Sequence, residues 1–172
     1  MKKTILILII SNCLLTNVLG QKGSNGDQWV KNSMYASFGG AGIFYSLNYE
    51  RNLYSSDKFA VGARVGFGTS LSPVIFSSEF NMPIGINALY GKKNSHIELS
   101  FCTTNYLLEQ YDYEFNDETK ELKNLLVPSL CYRFQKKQGG LVIRAGLSAL
   151  INLNSTTKTY SPWIDLGIGW AF

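Results

Sequence analysis

The chain has 172 residues, with 16 basic and 12 acidic side chains and a formal charge of +4 at pH 7. This length favours one domain over two, and so small a basic excess without a clustered basic face excludes nucleic acid as a partner. Only 16% of the residues are charged, 13% are aromatic and 16 are glycine, a composition that suits a surface facing something other than water.

The first twenty residues have the features of a secretory signal peptide. Two lysines precede an apolar run over residues 4–10, and Gly20 provides a small residue for cleavage. A retained membrane anchor is the less favoured alternative, because the run is far shorter than the roughly 20 residues of a spanning helix. We therefore expect a signal peptide over 1–20, a flexible polar lead-in over 21–32 and the folded domain over 33–172.

The rest of the chain predicts an all-β fold. No apolar run there is long enough for a transmembrane helix, and no helical period is evident. Instead, alternating apolar and polar residues form eight stretches separated by turn-rich segments. The predicted strands cover 33–39, 43–53, 59–68, 80–90, 96–107, 126–135, 141–150 and 162–172.

The predicted connections alternate in length. Those over 54–58, 91–95 and 136–140 are tight and each carries lysine, whereas those over 69–79, 108–125 and 151–161 are longer. Outer-membrane barrels have this asymmetry, with short periplasmic turns and longer extracellular loops. The connection at 39–42 belongs to the long set by its place in the order, yet it is short.

The polar face of each strand distinguishes a membrane barrel from a soluble one. A soluble barrel would spread Lys, Glu and Thr over the face opposite its core, but here that face carries glycine, serine and isolated charges. We therefore expect the apolar face to meet lipid, where only a closed sheet satisfies the backbone groups. The prediction is an eight-stranded, antiparallel, up-and-down transmembrane β-barrel with a side-chain-filled lumen. Seven aromatic residues fall near strand ends, as an interfacial girdle requires: Tyr35, Tyr45, Tyr49, Tyr90, Tyr132, Trp170 and Phe172.

Six charged residues are expected on the inward face, three acidic and three basic. Eight strands leave an interior just wide enough for side chains to fill, so these groups would plug the lumen as ion pairs. A catalytic or proton-relay cluster is the less favoured alternative, because buried charges are usually paired for structural reasons. The predicted network is Glu50, Arg64, Glu98, Arg133, Arg144 and Asp165.

Cysteine and histidine offer little chemistry. Cys102 and Cys131 fall on neighbouring predicted strands and both face inward, so they are a candidate disulfide, with two lumen-filling thiols as the favoured alternative. His96 is the single histidine and lies at a tight turn, so a hydrolase dyad is weakly supported. With no Cys-x-x-Cys and no glycine motif that opens a helix, we expect neither a metal site nor a cofactor.

The predicted loop 108–125 is strongly acidic and contains interleaved aromatic residues. It is the candidate site for an extracellular partner, either a protein or divalent cations. A solvated hairpin extension is the alternative, since no calcium-loop spacing is present. Its acidic residues are Glu109, Asp112, Glu114, Asp117, Glu118 and Glu121.

Several stretches between residues 44 and 172 carry a family likeness: 45–51, 64–66, 83–87, 89–92, 96–99, 132–133, 140–146 and 162–172. In these the chain resembles the small outer-membrane β-barrel domain proteins of Gram-negative bacteria, with the eight-stranded OmpA/OmpX-like architecture. The resemblance implies export to the outer membrane and contact with its lipid, and carries no catalytic assignment. It also implies that the outward residues of the C-terminal strand form the signal for the barrel assembly machinery: Ile164, Leu166, Ile168, Trp170 and Phe172.

The expected role is therefore structural or surface-interaction, without catalysis. Two alternatives stay open at this point, a lipid-modifying outer-membrane enzyme and a narrow, porin-like channel or transporter for small apolar ligands. An enzyme of the first kind would need a histidine-containing pair at the extracellular rim, and His96 is expected at the other end.

Overall fold

The computed structural model describes residues 29–71, 78–112, 117–153 and 160–172. The predicted signal peptide and residues 21–28 of the lead-in lie outside these ranges. The described residues form eight strands: β1 Asn32–Gly39, β2 Tyr45–Ser55, β3 Phe59–Leu71, β4 Ser78–Lys92, β5 Ser95–Asp112, β6 Asp117–Gln135, β7 Gly140–Asn152 and β8 Tyr160–Ala171. A single turn of 3-10 helix, η1, spans Gly40–Gly42.

The strands form one closed barrel in sequence order, and every neighbouring pair is antiparallel. β1 and β8 close it, with a register that runs from Ser33 opposite Ala171 to Gly39 opposite Asp165. The predicted all-β, up-and-down, eight-stranded barrel is therefore confirmed. None of the described residues belongs to a helix with the length and hydropathy needed to span a bilayer.

The predicted loop 108–125 is mostly strand. β5 and β6 stay paired along a two-stranded extension until Asp112 lies opposite Asp117. The alternating aromatic and polar residues of this segment continue the period of a strand, so the boundary placed at 107 was too early.

Side chains alternate across the barrel wall with inverted polarity. Ile86, Ile97 and Leu147 are more than half exposed on the outer surface, whereas Asn48, Ser100 and Thr104 are buried inside. A water-soluble protein places its apolar side chains in the interior, and this barrel places them outside.

The two ends of the barrel differ. At the tight-turn end, short connections join β2 to β3, β4 to β5 and β6 to β7, and β1 begins and β8 ends there. At the long-connection end, η1 joins β1 to β2, and the connections over 72–77, 113–116 and 154–159 lie outside the described residues.

A short segment before β1 closes the tight-turn end, which corrects the flexible lead-in predicted up to residue 32. The Trp29 indole N–H donates to the Ser56 carbonyl at 2.9 Å, and its ring centroid lies 4.5 Å from that of His96. Trp29 is buried with Ala60 and Leu89 in a small apolar cluster. The sequence signal for this contact is a large aromatic residue, Trp29, within an otherwise mostly polar segment.

The other end is closed by η1, which folds inward and explains why the 39–42 connection is short. The Thr104 hydroxyl donates to the Ala41 carbonyl at 2.6 Å, and the Asn81 amide donates to the Gly42 carbonyl at 3.0 Å. The strand predicted to start at 43 therefore starts at Tyr45. Ile43 caps η1 with a φ of 65°, which a β-branched residue adopts only when its surroundings impose it.

The inward path of η1 depends on glycine at position 40. We expect Gly40→Ala to lower the free energy of unfolding by about 1 to 2 kcal/mol through its positive φ. A further loss of about 1 to 3 kcal/mol is expected from overpacking, because the added Cβ would lie 2.5 to 2.8 Å from the Asp165 carboxyl atoms. Urea unfolding in detergent micelles measures both losses.

Gly140→Ala is the matched control, because Gly140 also has positive φ but a Cβ there meets nothing within 4 Å. Equal losses for the two variants would contradict a tight fit of η1 against Asp165.

Candidate functional site

The structure brings the six charged residues predicted for the lumen into one cluster, here called the lumenal charge cluster. Each lies on the inward face of a different strand, and each is at most 3% exposed. Its members are Glu50 on β2, Arg64 on β3, Glu98 on β5, Arg133 on β6, Arg144 on β7 and Asp165 on β8.

Glu98 is the centre of this cluster, because its carboxylate accepts hydrogen bonds from all three arginines. Arg133 donates to it at 3.1 Å and Arg144 at 2.9 Å, and Arg64 is in direct contact with Oε1. Charge-assisted hydrogen bonds of this kind offset the cost of removing the charges from water.

The other two carboxylates pair at the sides of the cluster. Arg133 Nη1 lies 2.9 Å from both carboxylate oxygens of Glu50. Arg144 forms a two-pronged pair with Asp165, at 3.2 and 3.1 Å. Three acidic and three basic groups therefore balance within the closed interior.

Two inward glycines lie opposite arginines of the cluster. Gly167 lies directly opposite Arg144, and a Cβ there would come within 2.8 Å of the Arg144 Cγ. Gly85 lies opposite Arg64, but a Cβ there would meet β5, within 2.6 Å of the Cys102 Sγ. Space at Gly167 is therefore limited by the arginine itself and space at Gly85 by the neighbouring strand.

Tyr35 packs against this cluster and does not lie in the aromatic girdle, where the sequence predicted it. Its ring is buried in the lumen, with the guanidinium carbons of Arg64, Arg133 and Arg144 at 5.4, 5.8 and 5.0 Å from the ring centroid. Its hydroxyl lies 3.5 Å from Glu50. The sequence did contain a signal for this inward position, because Tyr35 shares a strand face with the inward residues Ser33 and Ser37.

The candidate disulfide is not formed. Cys102 and Cys131 are free thiols, and in the β5–β6 register Cys131 lies opposite Glu98 while Cys102 lies opposite Val127. The offset of four residues is about 13 Å along a strand, whereas bonded cysteines have Cα atoms within about 7 Å. The predicted pairing was centred on the middle of a 108–125 loop. The actual pairing is centred between Asp112 and Asp117, about two residues earlier in the chain, and this difference produced the wrong register.

His96 sits inside the tight-turn end. It is 1% exposed, and its Nε2 lies 3.0 Å from the Gln135 carbonyl oxygen. In the ranges that the structure describes, no three His, Cys, Asp or Glu side chains gather as metal ligands do.

The acidic segment and the C-terminal strand both lie on outer parts of the molecule. Along the β5–β6 extension, Glu109 lies opposite Lys120 and Tyr111 opposite Glu118, while Glu114 is outside the described residues. The five residues of the predicted assembly signal all face outward, with 39% to 60% of their surface exposed: Ile164, Leu166, Ile168, Trp170 and Phe172.

No protein-family model and no curated protein matches the chain. Among solved structures, it is similar to the N-terminal β-barrel domain of Pseudomonas aeruginosa OprF, with a TM-score of 0.57 and 9% identity over 86% of this chain and 100% of that one. It is also similar to Ail, the attachment invasion locus protein of Yersinia pestis, with a TM-score of 0.50 and 10% identity over 83% and 95% of the two chains. At these identities the likeness shows the shared barrel fold.

Removing the charge at the centre of the cluster should destabilise the barrel. We expect Glu98→Gln to lower the free energy of unfolding by about 3 to 5 kcal/mol, because it leaves excess buried arginine charge. Unfolding in urea, followed by tryptophan fluorescence in micelles, measures the loss.

Arg144→Gln and the double variant complete the cycle. The double variant should lose less than the sum of the two single variants, since it restores the charge balance. Additive losses would mean that Glu98 and Arg144 do not interact as the distances indicate.

The two thiols give an independent check of the β5–β6 register. We expect Cys102 and Cys131 to resist maleimide labelling in the folded barrel, where both are buried, and to react fully after unfolding without reductant. Intact-protein mass spectrometry counts the labels. If the unfolded chain could be labelled only after addition of a reductant, the two thiols would be joined by a disulfide. The β5–β6 register would then differ from the one described here.

Proposed function

We propose that the chain is an integral outer-membrane β-barrel of a Gram-negative bacterium with a structural or surface-interaction role. The observation that carries this proposal is the inverted polarity of the barrel, apolar outside and charged inside. Exposed apolar side chains of this number destabilise a protein in water and suit one surrounded by hydrocarbon. A closed barrel also leaves no unpaired strand edge, which lipid does not tolerate.

Aromatic residues near both barrel ends support this placement. Three tyrosines near the tight-turn end are more than half exposed: Tyr54, Tyr90 and Tyr132. Near the other end, Tyr45 and Tyr160 are also more than half exposed. Aromatic side chains concentrate at the two interfaces of a bilayer, because they combine an apolar body with a polar tip. By the usual arrangement of such barrels, the tight-turn end would face the periplasm.

The filled interior supports a role without conduction. The lumenal charge cluster occupies the middle of the barrel, while Trp29 and η1 close its two ends. A water-filled channel needs an open path, and the ion-paired arginines and carboxylates here would have to separate to create one.

The same contacts count against a lipid-modifying enzyme. His96 is buried beside Trp29 at the tight-turn end, and its Nε2 contacts a backbone carbonyl. A general base must reach the proton that it removes, and this ring faces no lipid substrate.

Interaction at the cell surface would then use the β5–β6 extension. It projects from the long-connection end and carries Glu109, Asp112, Asp117, Glu118 and Glu121 on a paired two-stranded scaffold. An acidic hairpin of this kind would attract a basic protein surface or divalent cations. The outward C-terminal strand residues would serve the barrel assembly machinery during insertion.

The first test combines fractionation with gel mobility. Expressed in a Gram-negative host, the protein should sediment with outer-membrane vesicles and run faster in SDS before boiling than after it, since a closed barrel resists detergent. Recovery in the soluble periplasm, or identical mobility before and after boiling, would overturn the proposal.

Electrical recording tests the filled lumen separately. Purified barrel in planar bilayers should give no discrete conductance steps, with a known porin as the positive control. Regular single-channel openings would show a conducting path and contradict a non-conducting role.

A further inference from the structure

The tight-turn end carries an unusual concentration of positive charge. The three tight turns together line an open depression of about 780 Å³. Its lining contains five lysines, one acid and two amides: Lys58, Lys92, Lys93, Lys136, Lys137, Asp57, Asn94 and Gln138.

This depression lies across the mouth of the barrel. The β2–β3 and β6–β7 turns are on opposite sides of the closed strand order, yet Lys137 Nζ reaches the Asp57 carboxylate at 2.8 Å. The segment before β1 lies beneath them, where the Val30 N–H donates to the Lys137 carbonyl at 2.7 Å. The turns therefore lean inward over a closed floor and present their side chains to one shared space.

The charges in this depression are unbalanced. Lys137 holds the pKa of Asp57 below its usual range through their hydrogen bond, and the charges of Lys58 and Lys92 lower it further, so one ionised carboxylate faces five lysines. Among the described residues, none of the other four lysines lies in an ion pair. Like charges around one depression repel one another, and a multiply charged anion would offset that repulsion.

The donor set suits a phosphate group. Lysine ammonium groups act as compact point charges that bind phosphate oxygens, and lysines from three turns surround one space. A phosphate-bearing ligand with several ionised oxygens can contact more than one of these lysines at once.

We propose that the tight-turn mouth is a binding site for a multiply charged phosphate-bearing ligand, held by lysines from three turns. The inference does not depend on the membrane location of the barrel, because every group that lines the site belongs to the described turns. A free phosphate compound and a phospholipid headgroup share this chemistry.

The probe is inorganic tripolyphosphate, titrated by calorimetry into the full chain in non-ionic micelles. We expect saturable binding that weakens as salt is raised, since surface charge interactions are screened. Butane-1,2,3,4-tetracarboxylate, whose charge is close to that of tripolyphosphate, is the matched carboxylate anion and should bind at least about tenfold more weakly, a difference of about 1.4 kcal/mol. Equal binding of the two anions would overturn the assignment to phosphate.

Location is tested by paired charge-removing variants. Lys93→Gln with Lys136→Gln should raise the Kd for tripolyphosphate about tenfold, while Lys120→Gln with Lys123→Gln on the β5–β6 extension should leave it unchanged. Both doubles remove two charges, so a general electrostatic effect would weaken binding equally and would contradict this site. Unboiled gel mobility checks that each variant remains folded.

Nanodiscs distinguish the two sources of phosphate. In phosphatidylcholine discs the Kd should match that in micelles. If added cardiolipin, whose headgroup carries two phosphates, weakens tripolyphosphate binding to the wild-type chain but not to the Lys93/Lys136 variant, the headgroup competes for this site. No competition would assign the site to a soluble phosphate compound. Failure to bind tripolyphosphate in any of these settings would refute the proposal and leave the outer-membrane assignment untouched.

Discussion

The contact of the Glu98 carboxylate with three arginines is the interaction on which the rest of the barrel depends. Three guanidinium groups on three strands converge on one acidic group, and two further carboxylates at the sides complete the charge balance. Removing so many charges from water is costly, and only a nearly complete set of partners makes it tolerable. The closed interior provides those partners only when all the strands are in register.

The contacts between Glu98 and the three arginines determine the register of the strands as well as the stability of the barrel. A slip of one residue in any of the six strands that carry the cluster would turn its charged side chain outward and an apolar one inward. Arg133 lies directly opposite Arg144, a pairing of like charges that is acceptable because Glu98 accepts hydrogen bonds from both. The glycine opposite Arg144 fits only in the same register, because a side chain there would collide with the aliphatic part of the arginine.

Strict alternation made the strands, their faces and the six buried charges predictable, because each depends on a local period of two. Contacts between distant segments were not predictable in this way. A tryptophan in a polar segment is the single hint at Trp29, and no local period indicates that Trp29 or Gly40 folds over an end of the barrel. Tyr35 resembled a girdle residue because it lies close to a strand terminus. The disulfide failed for a related reason, since the β5–β6 register depends on where the hairpin turns.

The seam between β1 and β8 has a consequence for how such a chain acquires its structure. Asn32 and Phe172 exchange two backbone hydrogen bonds, at 3.0 and 2.8 Å, so segments separated by nearly the whole domain must meet before the outer edges of β1 and β8 are satisfied. Until then β1 presents unpaired backbone groups and an apolar face that invite aggregation. A ribosome delivers β1 long before β8, so this outer edge of β1 stays open until the last strand has been made.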